Sequence, residues 1–114
     1  MSDRERHLDE IQRIISDHSS QLPGWGAERL SGQFARMMAD DAWEDDYALP
    51  SLVALEGFLA WLERDVLLWA RGFGIGTNGR GSITVFWRDG NMRHTVDFLP
   101  AGGISHSSFS EAPH

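Results

Sequence analysis

Apolar residues along this chain recur first with a helical period and then with a strand period, and the change falls at Gly72. The longest helical run is 50–71, PSLVALEGFLAWLERDVLLWAR. Leu52, Leu55, Leu59, Leu62, Val66 and Trp69 follow one another at steps of three or four, with Phe58 beside them, so they line one helix face. Ser51 is placed to cap the first turn; Arg71 suits the negative end of the helix dipole, and Gly72 the residue past the last turn. Glu56 and Glu63 share a narrow polar stripe. Trp61 and Leu68 form a second apolar stripe, flanked by Ala54 and Gly57. That stripe meets either a second layer of the same chain or another molecule, since Trp among small neighbours is a common interface anchor.

Two shorter helical patterns come first. Leu8, Ile11, Ile14, Ile15 and Leu22 predict a helix over about 3–18, opened by the capping-box pair Ser2 and Glu5. His18, on the apolar side near its end, reads as a capping or core histidine. The loop 22–28, LPGWGAE, sets Trp25 between two glycines, a composition suited to tight backbone approach around a buried ring. Leu30, Phe34, Met37 and Met38 then predict a helix over about 27–42, weakened by Gly32, with the methionines filling gaps.

Beyond Gly72 the period is two. Ile83, Val85 and Trp87 alternate with Thr84, Phe86 and Arg88; Met92, His94, Val96 and Phe98 alternate with Arg93, Thr95 and Asp97. Asp89-Gly90 between them predicts a two-residue type I′ hairpin turn. That turn pairs Trp87 with Met92, Val85 with His94 and Ile83 with Val96, all on one face. Phe73, Ile75 and Thr77 offer a preceding strand, which needs an odd connection through Asn78-Gly79-Arg80 to share that face. A last strand, 104–109, follows Pro100-Ala101-Gly102-Gly103 and is predicted at the edge; its serines leave its facing open. The final SEAPH is expected to fray. The fold class is therefore α+β, with two or three N-terminal helices packed on a C-terminal three- or four-stranded antiparallel β-meander. One domain results, helical over 1–71 and β over 72–109. Trp69 and Trp87 are expected to meet in its core, where changing either to Ala would cost about 3–5 kcal/mol.

Composition changes this picture in two ways. The chain has 114 residues, enough for one domain that buries about 65% of its unfolded surface. It has no cysteine, which excludes disulfide and thiol chemistry and makes the cytoplasm the default expectation. The opening MSDRERHLDE lacks the apolar core of a signal peptide. Glu56, Glu63, Arg64 and Asp65 interrupt the long helix, each costing about 2.5–3.5 kcal/mol near a bilayer centre, so it is not read as a membrane span.

The net charge is −7, all ten basic residues are Arg, and residues 37–65 hold eight acids against Arg64 alone. Such a field argues against direct binding to DNA or RNA phosphates, and suits a basic partner or imitation of a nucleic acid. A solvated acidic loop is the plainer reading. Yet 40–47, DDAWEDDY, sets Trp43 and Tyr47 among five acids, either to anchor the loop or to contact a partner.

No motif announces chemistry. Gly74-Ile75-Gly76-Thr77-Asn78-Gly79 matches GxGxxG, but a dinucleotide site needs a strand before it and a helix after it, the reverse of the order here. His94 and Asp97, three apart in a strand, project from opposite faces and do not share an ion. An Asp97–His106 cross-strand pair is feasible in one register, as a structural ion pair. The acids at Asp40, Asp41, Glu44, Asp45 and Asp46 lack the alternation and Gly bend of a calcium loop. No Ser or Thr sits in the local context of an activated nucleophile. No metal or cofactor is expected, and no enzyme.

The run Gly24-Trp25-Gly26-Ala27-Glu28, the Pro50-Ser51 helix start, and the hairpin from Trp87-Arg88-Asp89-Gly90 to Phe98-Leu99-Pro100-Ala101-Gly102 resemble a loose group of small bacterial proteins. Those proteins carry Gly-Trp-Asp-Gly near the first loop and a Trp-x-x-Gly hairpin ending Phe-x-x-x-Gly. Here Gly26 replaces the Asp, and the acidic stretch is an addition. The resemblance implies a bacterial or phage source and the α+β layout, and brings no activity with it. The residues themselves point to a small non-catalytic binding module that inhibits or neutralises a basic, nucleic-acid-handling protein, such as a nuclease, a toxin or a CRISPR effector subunit. It would be antitoxin-like or anti-CRISPR-like. The expected contact residues are Asp40, Asp41, Trp43, Glu44, Asp45, Asp46, Tyr47, Glu56, Trp61 and Glu63. The alternatives are a homodimeric domain joined through Trp61 and Leu68, and a small-molecule enzyme with polar groups gathered near His94.

Overall fold

The structure is a computed structural model that describes residues 2–22, 26–39, 46–64 and 72–110. Helix α1 spans Asp3–Asp17 and α2 spans Gly26–Met37; a short 3-10 turn, Ser19–Gln21, follows α1. Helix α3 spans Leu52–Arg64. Strands β1 (Gly74–Thr77), β2 (Ile83–Asp89), β3 (Met92–Phe98) and β4 (Ile104–Ser110) form one antiparallel sheet in the order β1-β2-β3-β4. This is the expected α+β meander.

Local chemistry sets the helix starts. The Ser2 hydroxyl accepts from the Glu5 amide at 3.1 Å and donates to the Glu5 carboxylate at 3.2 Å, a capping box closed through side chains. Ser51 does more. Its hydroxyl accepts from the amides of Val53 (3.2 Å) and Ala54 (3.3 Å) while donating to the Pro100 carbonyl at 2.8 Å. Its own amide donates to the Gly81 carbonyl at 2.9 Å. One residue thus caps α3 and ties that cap to the loops at one end of the sheet.

Helix α3 has two apolar faces. Leu55, Leu59 and Leu62 are fully buried in the core with Ile11, Ile14 and Ile15 of α1 and Leu30 and Phe34 of α2. The face holding Gly57, Phe58 and Trp61 lies on the sheet. A Cβ at Gly57 would stand 3.6 Å from the Phe98 ring, and the rings of Phe58 and Trp61 are each 5.6 Å from it. The second apolar stripe read from the sequence is therefore the sheet-facing stripe, so Trp61 meets a second layer of the same chain. It packs there against Trp87. Its ring is 5.7 Å from that of Trp87, whereas Trp69, with Val66, Leu68 and Arg71, lies outside the described residues.

The hairpin register differs from the expected one by two residues. Asp89 pairs with Met92, Trp87 with His94, Val85 with Val96 and Ile83 with Phe98. The turn is Gly90-Asn91, with φ +61° at Gly90 and negative φ at Asn91, the pattern of a type II′ turn rather than type I′. The shift keeps the same faces and matches apolar with apolar: Val85 meets Val96 instead of His94. The β1–β2 connection is odd, as the facing of Ile75 requires, but runs over 78–82. Within it Asn78 Oδ1 accepts from the amides of Arg80 (2.9 Å) and Ser82 (3.2 Å). The GxGxxG glycines are strand and turn residues. Strand β4 is the edge, and all seven of its residues are exposed.

Candidate functional site

The candidate contact residues fall in three places. Asp40, Asp41, Trp43, Glu44 and Asp45 lie outside the described residues, as do Trp25 and the 111–114 tail. Asp46 and Tyr47, the last two residues of the acidic stretch, are exposed. The Tyr47 ring rests on Gly79, where an added Cβ would approach it to 3.1 Å, and the Ala48 amide donates to the Gly79 carbonyl at 2.8 Å. Tyr47 and Ala48 are thereby pinned to the β1–β2 loop.

That loop belongs to a built surface. It is joined through Ser51 and Gly81 to the α3 N-terminus and to the β3–β4 loop, where an added Cβ on Gly81 would stand 3.3 Å from Pro100. Among the described residues seven large apolar side chains are exposed, and four gather at this end: Tyr47, Val53, Leu99 and Ile104. Val53 lies beside Gly102, and Leu99 beside Gly103. Glu56 continues from Val53 on the outer face of α3, one turn further on. Sequence reasoning missed Val53, Leu99 and Ile104, because nothing in their spacing distinguishes an exposed apolar residue at a loop end from a core one.

Glu56 and Glu63 do form one stripe, but α1 covers part of it. His18, at the C-cap of α1, reaches across so that Nδ1 is 2.7 Å from Glu63 Oε1 and Nε2 is 3.4 Å from Glu56 Oε2. His18 is one-quarter exposed, and so nearly is Glu63. The hydrogen bond to Glu63 raises the His18 pKa above its ordinary value, and the bond to Glu56 adds to it; partial burial opposes both. The pair that extended the acidic surface in the sequence is thus partly an internal clamp between α1 and α3. Trp61 is half-buried, with its indole against Trp87 and Phe98 of the sheet. The seven-residue spacing of the glutamates was legible; their histidine partner, 45 residues from Glu63, was not.

A second cluster lies on the helix-side face of the sheet toward the hairpin tip. Trp87, His94 and Ser108 are cross-strand neighbours, with His106 diagonal to His94. The Trp87 ring stacks on His94 at 5.1 Å and on His106 at 6.2 Å. Asp97 faces the other way, accepting from the Thr84 hydroxyl at 2.6 Å, and pairs across β4 with Ser105 rather than His106. The Asp97–His106 pair considered from sequence therefore does not form. Among the described residues no group of three or more His, Cys, Asp or Glu side chains could hold a metal ion. A shallow cleft of about 210 Å³ between α1 and the end of α2, lined by Leu8 and Met38 with Arg4 and Glu5 at its rim, is remote in sequence from both clusters. Among the described residues no helix is long and apolar enough to cross a membrane.

Comparison with protein-family models, with curated proteins and with solved structures finds no match.

Proposed function

We propose that this chain is a protein-binding module that docks on a basic surface of a nucleic-acid-handling partner and neutralises it, in the manner of an antitoxin or an anti-CRISPR protein. One observation carries the reading. The acidic stretch ends at Asp46-Tyr47-Ala48 on a hydrogen-bonded loop end where Val53, Leu99 and Ile104 are exposed. An apolar centre beside a charged rim is the anatomy of a protein interface. The charge of residues 37–65 would steer a basic partner and set the salt dependence of binding. Glu56 joins that rim. Trp61 and Glu63 contribute less to it, because the sheet and His18 cover part of each.

The test follows the two components separately. Once a partner is isolated from the native host, Asp40, Asp41, Asp45 and Asp46 are replaced together by Asn, and binding is measured across a salt series. The expected result is weaker binding with a shallower salt slope. Ile104→Ser should weaken binding with little change of slope. Unchanged affinity in both variants refutes the reading.

A second reading rests on a different observation. Strand β4, ISHSSFS, is seven exposed residues long and carries neither Pro nor a carboxylate, Lys or Arg, the usual devices that blunt a sheet edge. Its outer edge suits antiparallel pairing with a second copy, which moves the homodimer from Trp61 and Leu68 to the sheet edge. Sedimentation of the wild type and of Ser107→Pro separates the readings: a dimer dispersed by the proline supports self-pairing, and a monomer in both removes it.

A further inference from the structure

Two imidazoles converge on one hydroxyl at the exposed end of the sheet. The register of β3 and β4 puts His94, His106 and Ser108 on the same face. His94 Nδ1 is 2.9 Å from Ser108 Oγ and His106 Nε2 is 3.3 Å from the same atom, with the two rings 5.7 Å apart. Each imidazole therefore presents a ring nitrogen to one point in space. Trp87 fixes that arrangement from behind, stacked at interplanar angles of 20° on His94 and 26° on His106. Stacking limits the rotation that two surface histidines would otherwise have, and lowers the ordering cost of using both at once.

We infer that His94 and His106 form a binding site for a divalent transition-metal ion, with the Ser108 hydroxyl and water completing its coordination. Imidazole nitrogen is a ligand of choice for Ni²⁺, Cu²⁺ and Zn²⁺. With bonds of about 2.0–2.1 Å, neighbouring ligands of one ion stand about 2.9–3.4 Å apart, so the 2.9 and 3.3 Å spacings of the two nitrogens from the hydroxyl already suit an ion seated among the three atoms. A Ser–His nucleophile pair is the competing use of these atoms. It needs a carboxylate to orient the imidazole, and Asp97 is on the opposite face with Thr84. With two imidazoles and no carboxylate or third imidazole joining them among the described residues, the site is open and exchangeable, unlike a closed structural zinc site. The net charge of −7 favours any cation approaching the chain.

The test uses the full chain without a polyhistidine tag. Ni²⁺ is titrated at neutral pH by calorimetry, and tryptophan emission is followed in parallel, because Trp87 lies against both ligands and a paramagnetic ion there quenches it. One Ni²⁺ per chain should bind with quenching, and Cu²⁺ should bind more tightly than Ni²⁺ or Zn²⁺. His94→Asn and His106→Asn should each weaken binding at least tenfold, about the least that perturbing a metal ligand costs. His7→Asn, on α1, should leave it unchanged. His106 is exposed, so its variant should keep the wild-type circular dichroism. A folded His106→Asn protein that binds Ni²⁺ as tightly as the wild type overturns the assignment.

Discussion

The His18 clamp makes a prediction whose sign is fixed by the structure. His18 joins the end of α1 to the outer stripe of α3 through Glu63 at 2.7 Å and Glu56 at 3.4 Å. Its folded pKa is raised, first by the Glu63 hydrogen bond. A raised histidine pKa means that the folded state holds the proton more tightly than the unfolded chain does. The stabilisation is therefore complete below the unfolded value of about 6.5 and is lost as pH climbs through the higher folded value. A hydrogen bond to a charged group contributes about 1.5–3 kcal/mol when well enclosed. Here Glu56 is more than half exposed and His18 one-quarter exposed, so solvent screening brings the figure to about 1–2 kcal/mol. For a domain of this size 1 kcal/mol moves the melting temperature by about 4 °C, so the clamp is worth about 4–8 °C. The assay is thermal unfolding of the wild type and His18→Gln at half-unit steps from pH 5.5 to 8.5. The difference between the two isolates His18 from the other titrating groups. It should be largest at the acid end and shrink toward the alkaline end. A difference that is constant across the range, or that grows with pH, refutes the account.

Two other expectations concern packing. Gly74 lies under Phe86: a Cβ there would stand 2.2 Å from Phe86 Cε2, while the ring itself is 45% exposed and able to swing out. Gly74→Ala should cost about 1 kcal/mol in the wild type, since a displaced ring loses its contacts. In a Phe86→Ala background the same change should be neutral or stabilising by about 0.4–1 kcal/mol, because the alanine restricts the unfolded chain. Equal effects in the two backgrounds, read from urea midpoints, would remove Phe86 as the cause. Trp87→Ala should cost about 2–3 kcal/mol, below the ~3–5 kcal/mol expected for a fully enclosed tryptophan, because Trp87 is half-buried at the exposed end of the sheet. A double-mutant cycle with Trp61→Ala should give a coupling of about 0.5–1.5 kcal/mol for their ring contact. Independent effects would mean that the two indoles do not meet.

What the sequence by itself determined was everything carried by local periodicity and capping. Apolar spacing of three or four located α1, α2 and α3, Ser2 and Ser51 marked two helix starts, and alternation located β2 and β3 with their correct faces. These follow from side-chain directions and backbone hydrogen-bond needs that act within a few residues. Parity even recovered the odd β1–β2 connection. The tertiary structure decided whatever depends on which surface meets which. The register slid by two residues because either even turn preserves the faces, and the choice fell to the match of Val85 with Val96 and to a glycine at the first turn position. Helix α3 needed two apolar faces because it packs against α1 as well as against strands β2 and β3, a fact no single helix can disclose. For the same reason Trp61 lies partly buried against the sheet, Glu63 became half of a clamp, and His106 met His94 instead of Asp97. Each change is a pairing between residues far apart in the chain, where spacing carries no information and only packing chooses.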